Sequence, residues 1–214
     1  MKQQELKKVA LIVAHPDDET LWAGGTILSE PSWKCFVVCL CRKSDKDRAP
    51  KFFKALSVLG AMGTMGDLDD GPEQTPLSDN EVKEAILQLV PSVPFDLVIT
   101  HNPNGGYTRH LRHEEVSKAV INLWNESKLL TDELWTFAYE DSNKAYLPKA
   151  DIHAPCSRHL SQNVWDLKYS IITHTYGFKE SSWEAKTTPV KEAFWHFSNP
   201  QQAKKWLANG GTAS

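Results

Sequence analysis

Two short stretches of the chain hold an unusual share of its chemically active side chains. The first is His15-Pro16-Asp17-Asp18-Glu19. The second runs from His101 to Glu114 and contains His101, Tyr107, Arg109, His110, Arg112 and His113. Between them lie four of the eight histidines and a dense set of carboxylates. His15 and Asp18 are three apart at what reads as a strand-to-helix turn, so both side chains can face one point. His110 and His113 are also three apart, at the start of a helix, and share a face. Imidazole, carboxylate and a second imidazole form a three-ligand set for Zn²⁺, with a fourth position left for water. Asp17 lies between the ligands in sequence, a carboxylate near that water without a necessary ligand duty. A Lewis acid, an activated water and an adjacent general base are what metal-assisted hydrolysis requires. Each motif alone also has a plain reading, the aspartates as helix caps and HxxH as a surface helix. Their joint placement after two strands favours the site.

Those strands are legible as apolar runs. Val9–Ala14 and Cys35–Cys41 are rich in β-branched and small apolar residues, as expected of strands buried on both faces of a parallel sheet. Phe95–Thr100 and Leu134–Tyr139 read the same way. Helical spacing marks a segment starting at Asp17 or Asp18 as its cap, then Arg48–Gly60, Asp79–Val90 and Leu111–Trp124. Met62–Pro76 reads as a short strand plus loop. Strands alternating with helices predict an α/β fold with a mostly parallel sheet and right-handed crossovers. Ligands of such sheets bind beyond the carboxyl ends of the strands, where both active stretches fall. The C-terminal third is less regular: Val164–Thr175 and Pro189–Phe197 read as helices and Asn209–Ser214 as a frayed tail. One domain over residues 1–214 is expected, with a catalytic core of about 8–140 and an irregular part over 141–208.

AHPDDE directly after the first strand, followed by HxxH at a helix start, resembles the LmbE-like (PIG-L) family of zinc-dependent N-deacetylases. The resemblance covers roughly residues 8–125. It implies a Rossmann-like three-layer sandwich and hydrolysis of an acetyl group from an N-acetylated amino sugar or N-acetylglucosamine conjugate. By the same resemblance His15, Asp18 and His113 match the ligands of one Zn²⁺ per chain, with another divalent ion as the alternative. Asp17 matches the general base, and His110 the non-ligand histidine that steadies the tetrahedral intermediate, there as an imidazolium. Arg48 and Asp70 match substrate-binding residues, Asp70 through sugar hydroxyls. The family's habit implies a homo-oligomer. The sequence departs from the family pattern at Lys51, where a glutamate often stands, and nothing aligns beyond residue 140. The competing reading is a non-catalytic carbohydrate- or nucleotide-binding protein on the same scaffold. Gly24-Gly25 is all that remains of a dinucleotide fingerprint, and paired carboxylates at that helix start would repel a pyrophosphate.

Composition narrows the setting. Of 214 residues 41% are hydrophobic and 24% charged, the balance of a folded domain, and the net charge of -3 gives no reason to bind nucleic acid. No run approaches a membrane span, and the N-terminal stretch lacks a secretory core, so a cytoplasmic location is expected. Cys35, Cys39 and Cys41 fall on one face of a strand by alternation and, with Cys156, read as small buried hydrophobes in a reducing compartment. His101 ends a strand at the correct edge and is the nearest rival ligand. His174 and Tyr176 are weaker candidates for substrate contact. Arg112 reads as structural and Arg109 is left undecided. Tyr107 is a weak candidate for proton donation. Some of the eight tryptophans could form a platform for a sugar ring.

Overall fold

The computed structural model describes residues 6–212. Five parallel strands form most of a seven-stranded sheet: β1 (Lys7–Val13), β2 (Trp33–Cys41), β3 (Met62–Leu68), β4 (Leu97–Thr100) and β5 (Leu134–Phe137). A two-residue pair, β6 (Tyr139–Glu140) and β7 (Lys149–Ala150), lies beside it, and β8 (Cys156–His159) and β9 (Lys191–Phe197) complete the main sheet. The strand order is β3-β2-β1-β4-β5-β9-β8, with β9 antiparallel to both β5 and β8. The order reverses direction at β1, between β2 and β4. In an open α/β sheet this switch point is where the crevice for a ligand forms, and β1 and β4 lead into the two reactive stretches.

Helices cover both faces. On one side α1 (Asp18–Ser29), α2 (Arg48–Leu59), α5 (Gln162–Ser170) and α6 (Trp183–Thr187) cover a core that includes Leu11, Trp22, Phe52, Leu56 and Phe194. On the other, α3 (Asp79–Leu89), α4 (Leu111–Asn125) and α7 (Pro200–Ala208) cover Ile12, Val38, Ile86, Val98 and Val120. Alternate residues of β1 feed the two cores, which is why its sequence is apolar throughout. None of the described helices is long and apolar enough to cross a membrane.

Several expectations are corrected. Within the span read as a helix from Pro189, Lys191–Phe197 is the strand β9, because Phe194, Trp195 and Phe197 pair with β5 and fill the sheet faces, where aromatics pack well. Tertiary pairing here overrides the local pattern. Val164–Thr175 is helical, but Ile171–Thr175 forms a π-helical turn. Cys35 and Cys39 share one layer while Cys41 joins the opposite one, the alternation breaking where the β2–β3 register shifts. Neither aspartate caps α1 through its side chain; Asp17 takes a left-handed backbone with φ 113°. The C-terminal segment is docked rather than frayed as far as Gly211, which is buried and whose carbonyl accepts from Asn102 Nδ2 at 2.7 Å. The expectations at residues 1–5, 213 and 214 lie outside the described residues.

One fully buried carboxylate joins the last strand to both α1 and α5. Glu192 of β9 accepts from the backbone N–H groups of Gly25 and Thr26 at 2.8 and 2.6 Å and pairs with Lys168 at 2.7 Å. α1 approaches this region closely: a Cβ on Gly25 would lie 2.3 Å from Leu160 Cδ1, so a larger residue there requires the Leu160 side chain to shift.

Candidate metal centre and its pocket

The site is assembled at the carboxyl ends of β1 and β4. The turn after β1 is fixed by its own carboxylates. His15 N donates to Asp18 Oδ2 at 2.9 Å, and Asp17 N donates to Glu19 Oε2 at 3.0 Å. Glu19, fully buried, also accepts from Thr20 and from Tyr176 Oη, the latter at 2.7 Å. This network holds Asp17 in its left-handed conformation, one that aspartate tolerates better than most residues. After β4 the chain turns through Gly105 with φ 95°, where a Cβ would meet Thr108 O at 2.4 Å. That turn delivers His110 and His113 to the same point as His15.

Three atoms converge there. His15 Nδ1 lies 3.1 Å from His113 Nε2 and 3.3 Å from Asp18 Oδ2, and His113 Nε2 lies 3.4 Å from that same oxygen. The far nitrogen of each ring is engaged elsewhere: His15 Nε2 with Asp70 Oδ1 at 3.0 Å, and His113 Nδ1 with the Gly105 carbonyl at 3.0 Å. The Gly105 carbonyl can only accept, so the proton of a neutral His113 resides on Nδ1. Asp70 likewise draws the His15 proton to Nε2. Two lone pairs and a carboxylate oxygen then face one another at contact distance, which is unfavourable unless a cation sits between them. Ligand atoms about 2.0–2.1 Å from a tetrahedral zinc are about 3.3–3.4 Å apart, so the triangle has the dimensions of such a site. The donor set therefore fits a divalent metal.

The electrostatics agree with this reading. Burial works against charge on His15, but hydrogen bonds to Asp18 and Asp70 prevail and push its pKa up to about 9. The site thus attracts positive charge, as a proton or as a metal. Burial also opposes charge on Asp18, yet His113 beside it holds its carboxyl well below the ordinary range. Burial, then the neighbouring Asp18, raise the carboxyl of Asp17 well above it, with Arg48 pulling the other way.

Asp18 and His113 also lie within ligating reach of His101, whose Nε2 is 3.4 Å from Asp18 Oδ2. Its Nε2 accepts from Ala14 N at 3.0 Å, and its ring stacks on His113 with centroids 3.8 Å apart. Burial lowers its pKa to about 3. His110 stacks on the other face of His113 at 4.0 Å. Its Nδ1 is buried without a hydrogen-bond partner among the described residues. Burial, with His113 and His15 beside it, lowers its pKa to about 4.

These groups open onto a cavity of about 440 Å³ lined by Asp17, Arg48, Tyr107, His110 and Trp183 among others. Arg48 reaches this wall from the start of α2, its Nη1 3.2 Å from Asp17 Oδ2 and its guanidinium over the Phe178 ring. Asp70 also reaches the pocket, but both its oxygens are engaged within the protein, by His15 and by Arg42 Nε at 2.7 Å. Trp22, Tyr107 and Trp183 form an aromatic cluster along one side. Tyr176 is buried on Glu19 and His174 is exposed, bonded to Ser170 and Thr173; neither lines the cavity. Arg112 is fully buried and binds Glu115 and the Thr75 carbonyl, a structural part. Arg109 is exposed and paired with Glu114. Sequence reasoning missed Arg42, Glu19 as a brace, and Trp183; only Glu19, inside the motif, carried a local signal.

The sequence pattern of the family described as PIG-L: GlcNAc-PI de-N-acetylase matches residues 10–124, more than half of the chain and the part that holds every proposed ligand. The chain belongs to this family. Among curated relatives, this PIG-L member is 26% identical over 149 residues to uncharacterized protein L374 of Acanthamoeba polyphaga mimivirus, the match covering 62% of each. It is also 26% identical over 155 residues to a 1D-myo-inositol 2-acetamido-2-deoxy-alpha-D-glucopyranoside deacetylase of Rhodococcus erythropolis, covering 54% of this chain and 53% of that protein. The chain thus spans between half and two-thirds of the length of these relatives. The fold is shared with N,N'-diacetylchitobiose deacetylase from Pyrococcus horikoshii, at TM-score 0.65 and 18% identity, covering 91% of this chain and 85% of that one. The hydratase GalB of Pseudomonas putida has the same fold, at TM-score 0.61 and 17% identity, covering 89% and 96%. Because a hydratase shares it, the fold alone does not specify the reaction of this PIG-L chain.

Proposed function

We propose that the protein is a metal-dependent hydrolase that removes the acetyl group from an N-acetylated amino sugar or its conjugate, with zinc as the metal. The observation that carries this reading is the convergence of His15 Nδ1, Asp18 Oδ2 and His113 Nε2 beside a carboxylate outside that set, Asp17, at the wall of an open cavity. A purely structural zinc site closes its fourth position with a protein ligand and has no use for such a neighbour. The alternative of a non-catalytic binding protein leaves Asp17 and its strained backbone without a purpose.

When bound by these three side chains, a divalent ion supplies Lewis acidity and lowers the pKa of water. The remaining work falls to the chain. Asp17 accepts a proton from the attacking water, its raised pKa bringing it toward the range where a general base is effective. Arg48 holds that carboxylate in place and opposes the rise in its pKa. Water adds to the acetyl carbonyl, and the oxyanion that develops needs a donor. His110, which lines the cavity, suits that task as a neutral N–H group, a contribution typically worth about 10²–10³ in rate. Asp17 then returns its proton to the departing nitrogen as the C–N bond breaks, giving acetate and a free amine. Asp70 and Gly105 orient the ligand rings, the outer-shell role such partners usually have. Four free thiols, three of them buried, support the expected cytoplasmic setting. The test is acetate release from N-acetylglucosamine and its glycosides by the zinc-loaded protein, with chelated protein as control. Absence of release from every such compound, with zinc bound stoichiometrically, would overturn the assignment.

A further inference from the structure

Between the two histidines of HxxH stands Arg112, which does not line the cavity. Its guanidinium is fully buried, pairs with Glu115 one turn further along α4, and donates through Nη2 to the Thr75 carbonyl at 3.1 Å. Glu115 in turn accepts from Leu77 N at 2.8 Å. The start of α4 thus grips the loop between β3 and α3 at two backbone points, one on each side of Pro76. The same loop carries Asp70, whose carboxylate engages His15 Nε2. We propose that Arg112 and Glu115 are positioning residues of the metal centre, holding this loop so that Asp70 keeps the His15 ring turned toward the metal position.

The path from the grip to Asp70 is short and continuous. Gln74 has left-handed backbone with φ 47°, and its N donates to the Gly71 carbonyl at 3.1 Å. Its side-chain Nε2 reaches that carbonyl at 3.1 Å and Asp70 Oδ1 at 3.3 Å. Residues 70–74 therefore form one closed turn, and the residue that follows is the one Arg112 binds. A non-glycine residue in this backbone region is costly and persists only where its surroundings hold it. Without α4, the carboxylate would be located by Arg42 and the end of β3 alone.

Stability does not account for the pair. Arg112 Nε has no hydrogen-bond partner among the described residues. Buried ion pairs are also often no better for a fold than apolar residues of the same size. What the pair supplies is geometry, because it makes one helix place two ligands, His113 directly and His15 through Asp70.

This role rests on the metal reading of the site, and its test tells the two apart. Zinc affinity of the full chain is measured by competition with a chromogenic chelator, and amide hydrogen exchange is followed on the metal-free protein. Arg112→Met should weaken zinc about tenfold, as loss of an outer partner does, and should speed exchange across residues 69–77. Arg112→Lys keeps a charge beside Glu115 but lacks the fork that spans two partners, so it should fold even if the methionine variant does not, and lose about threefold. The double variant with Asp70→Ala should bind zinc within about twofold of Asp70→Ala alone, because both changes act through one His15 contact. Leu123→Ala, a fully buried position at the far end of α4, should lower Tm and leave zinc affinity unchanged. Unchanged affinity in the Arg112 variants, losses that multiply in the double variant, or an equal loss in the Leu123 variant would overturn the role. A wild-type chain that takes up no zinc would instead strike the metal reading, and this role with it.

Discussion

Asp70 Oδ1 lies 3.0 Å from His15 Nε2, and the other oxygen of the same carboxylate receives Arg42. Carboxylate, imidazole and metal position thus fall in line, with Asp70 fixing which nitrogen of His15 faces the centre. The hydrogen bonds from His15 and Arg42 outweigh burial and hold the Asp70 carboxyl well below the ordinary range, so it stays an acceptor at any working pH. Loss of such a partner typically weakens metal binding about 10–100-fold. Asp70→Ala should do so, measured by competition with a chromogenic chelator. Unchanged metal affinity, with a raised KM, would return Asp70 to the sugar-contact role that the family resemblance implies.

Asp17→Asn tests the base. Asparagine tolerates the left-handed backbone and matches the carboxylate in size, but it cannot take a proton from water. Zinc content and Tm should be retained while kcat falls about 10²–10⁴-fold. Near-normal turnover would leave Asp17 as a turn residue only.

The two histidines at the ends of the second stretch should separate cleanly. His113→Ala should abolish stoichiometric zinc. His101→Ala should retain it but lower Tm, because Ala14 N loses its buried acceptor at a cost of about 1–3 kcal/mol. Zinc measured by atomic absorption on folded protein decides between them; full zinc in the His113 variant would remove the ligand set.

The pH dependence should differ in sign between the metal-free and loaded forms. In the metal-free protein the His15 pKa is raised from 6.5 to about 9, so its proton stabilises the fold fully below 6.5. That contribution is lost as pH rises through 9. A metal must displace the proton, so apparent affinity should rise about tenfold per pH unit until near that value. Chelator titrations and melting curves of chelated protein between pH 6 and 9 check both limbs.

Lys168→Met should be among the most damaging substitutions away from the pocket. It leaves Glu192 buried and charged with only its neutral donors, and breaking such a pair costs about 3–5 kcal/mol. Denaturant unfolding measures the loss. A change below 1 kcal/mol would mean that water reaches the pair.

Much of this was readable from the chain, for a physical reason. Strands buried on both faces are apolar throughout, so Val9–Ala14 and Cys35–Cys41 declared themselves, and ligands that follow strands within a few residues are local patterns. What could not be read depends on contacts between distant segments. Asp70 approaches His15 across 55 positions, and no local spacing announces it. Arg48 lines the cavity, and its reach to Asp17 depends on where α2 is laid down. The strand β9 has no distinctive pattern and owes its conformation to its neighbours β5 and β8.

The bond from Gly25 to Glu192 spans 167 positions, and this has a consequence for how the protein is made. The histidine and aspartates of the first turn leave the ribosome well before β9 does. The helix that carries Asp18 gains its buried anchor only when the last strand arrives. At synthesis rates of about 5–20 residues per second, that interval is on the order of ten to thirty seconds. Throughout it the nascent chain displays a metal-binding motif with an unfastened scaffold, and contacts of such long range also slow the final closure. Capacity to hold a cation should therefore appear late in biogenesis, after release of the C-terminal segment, although His15 and Asp18 precede β9 by most of the described chain.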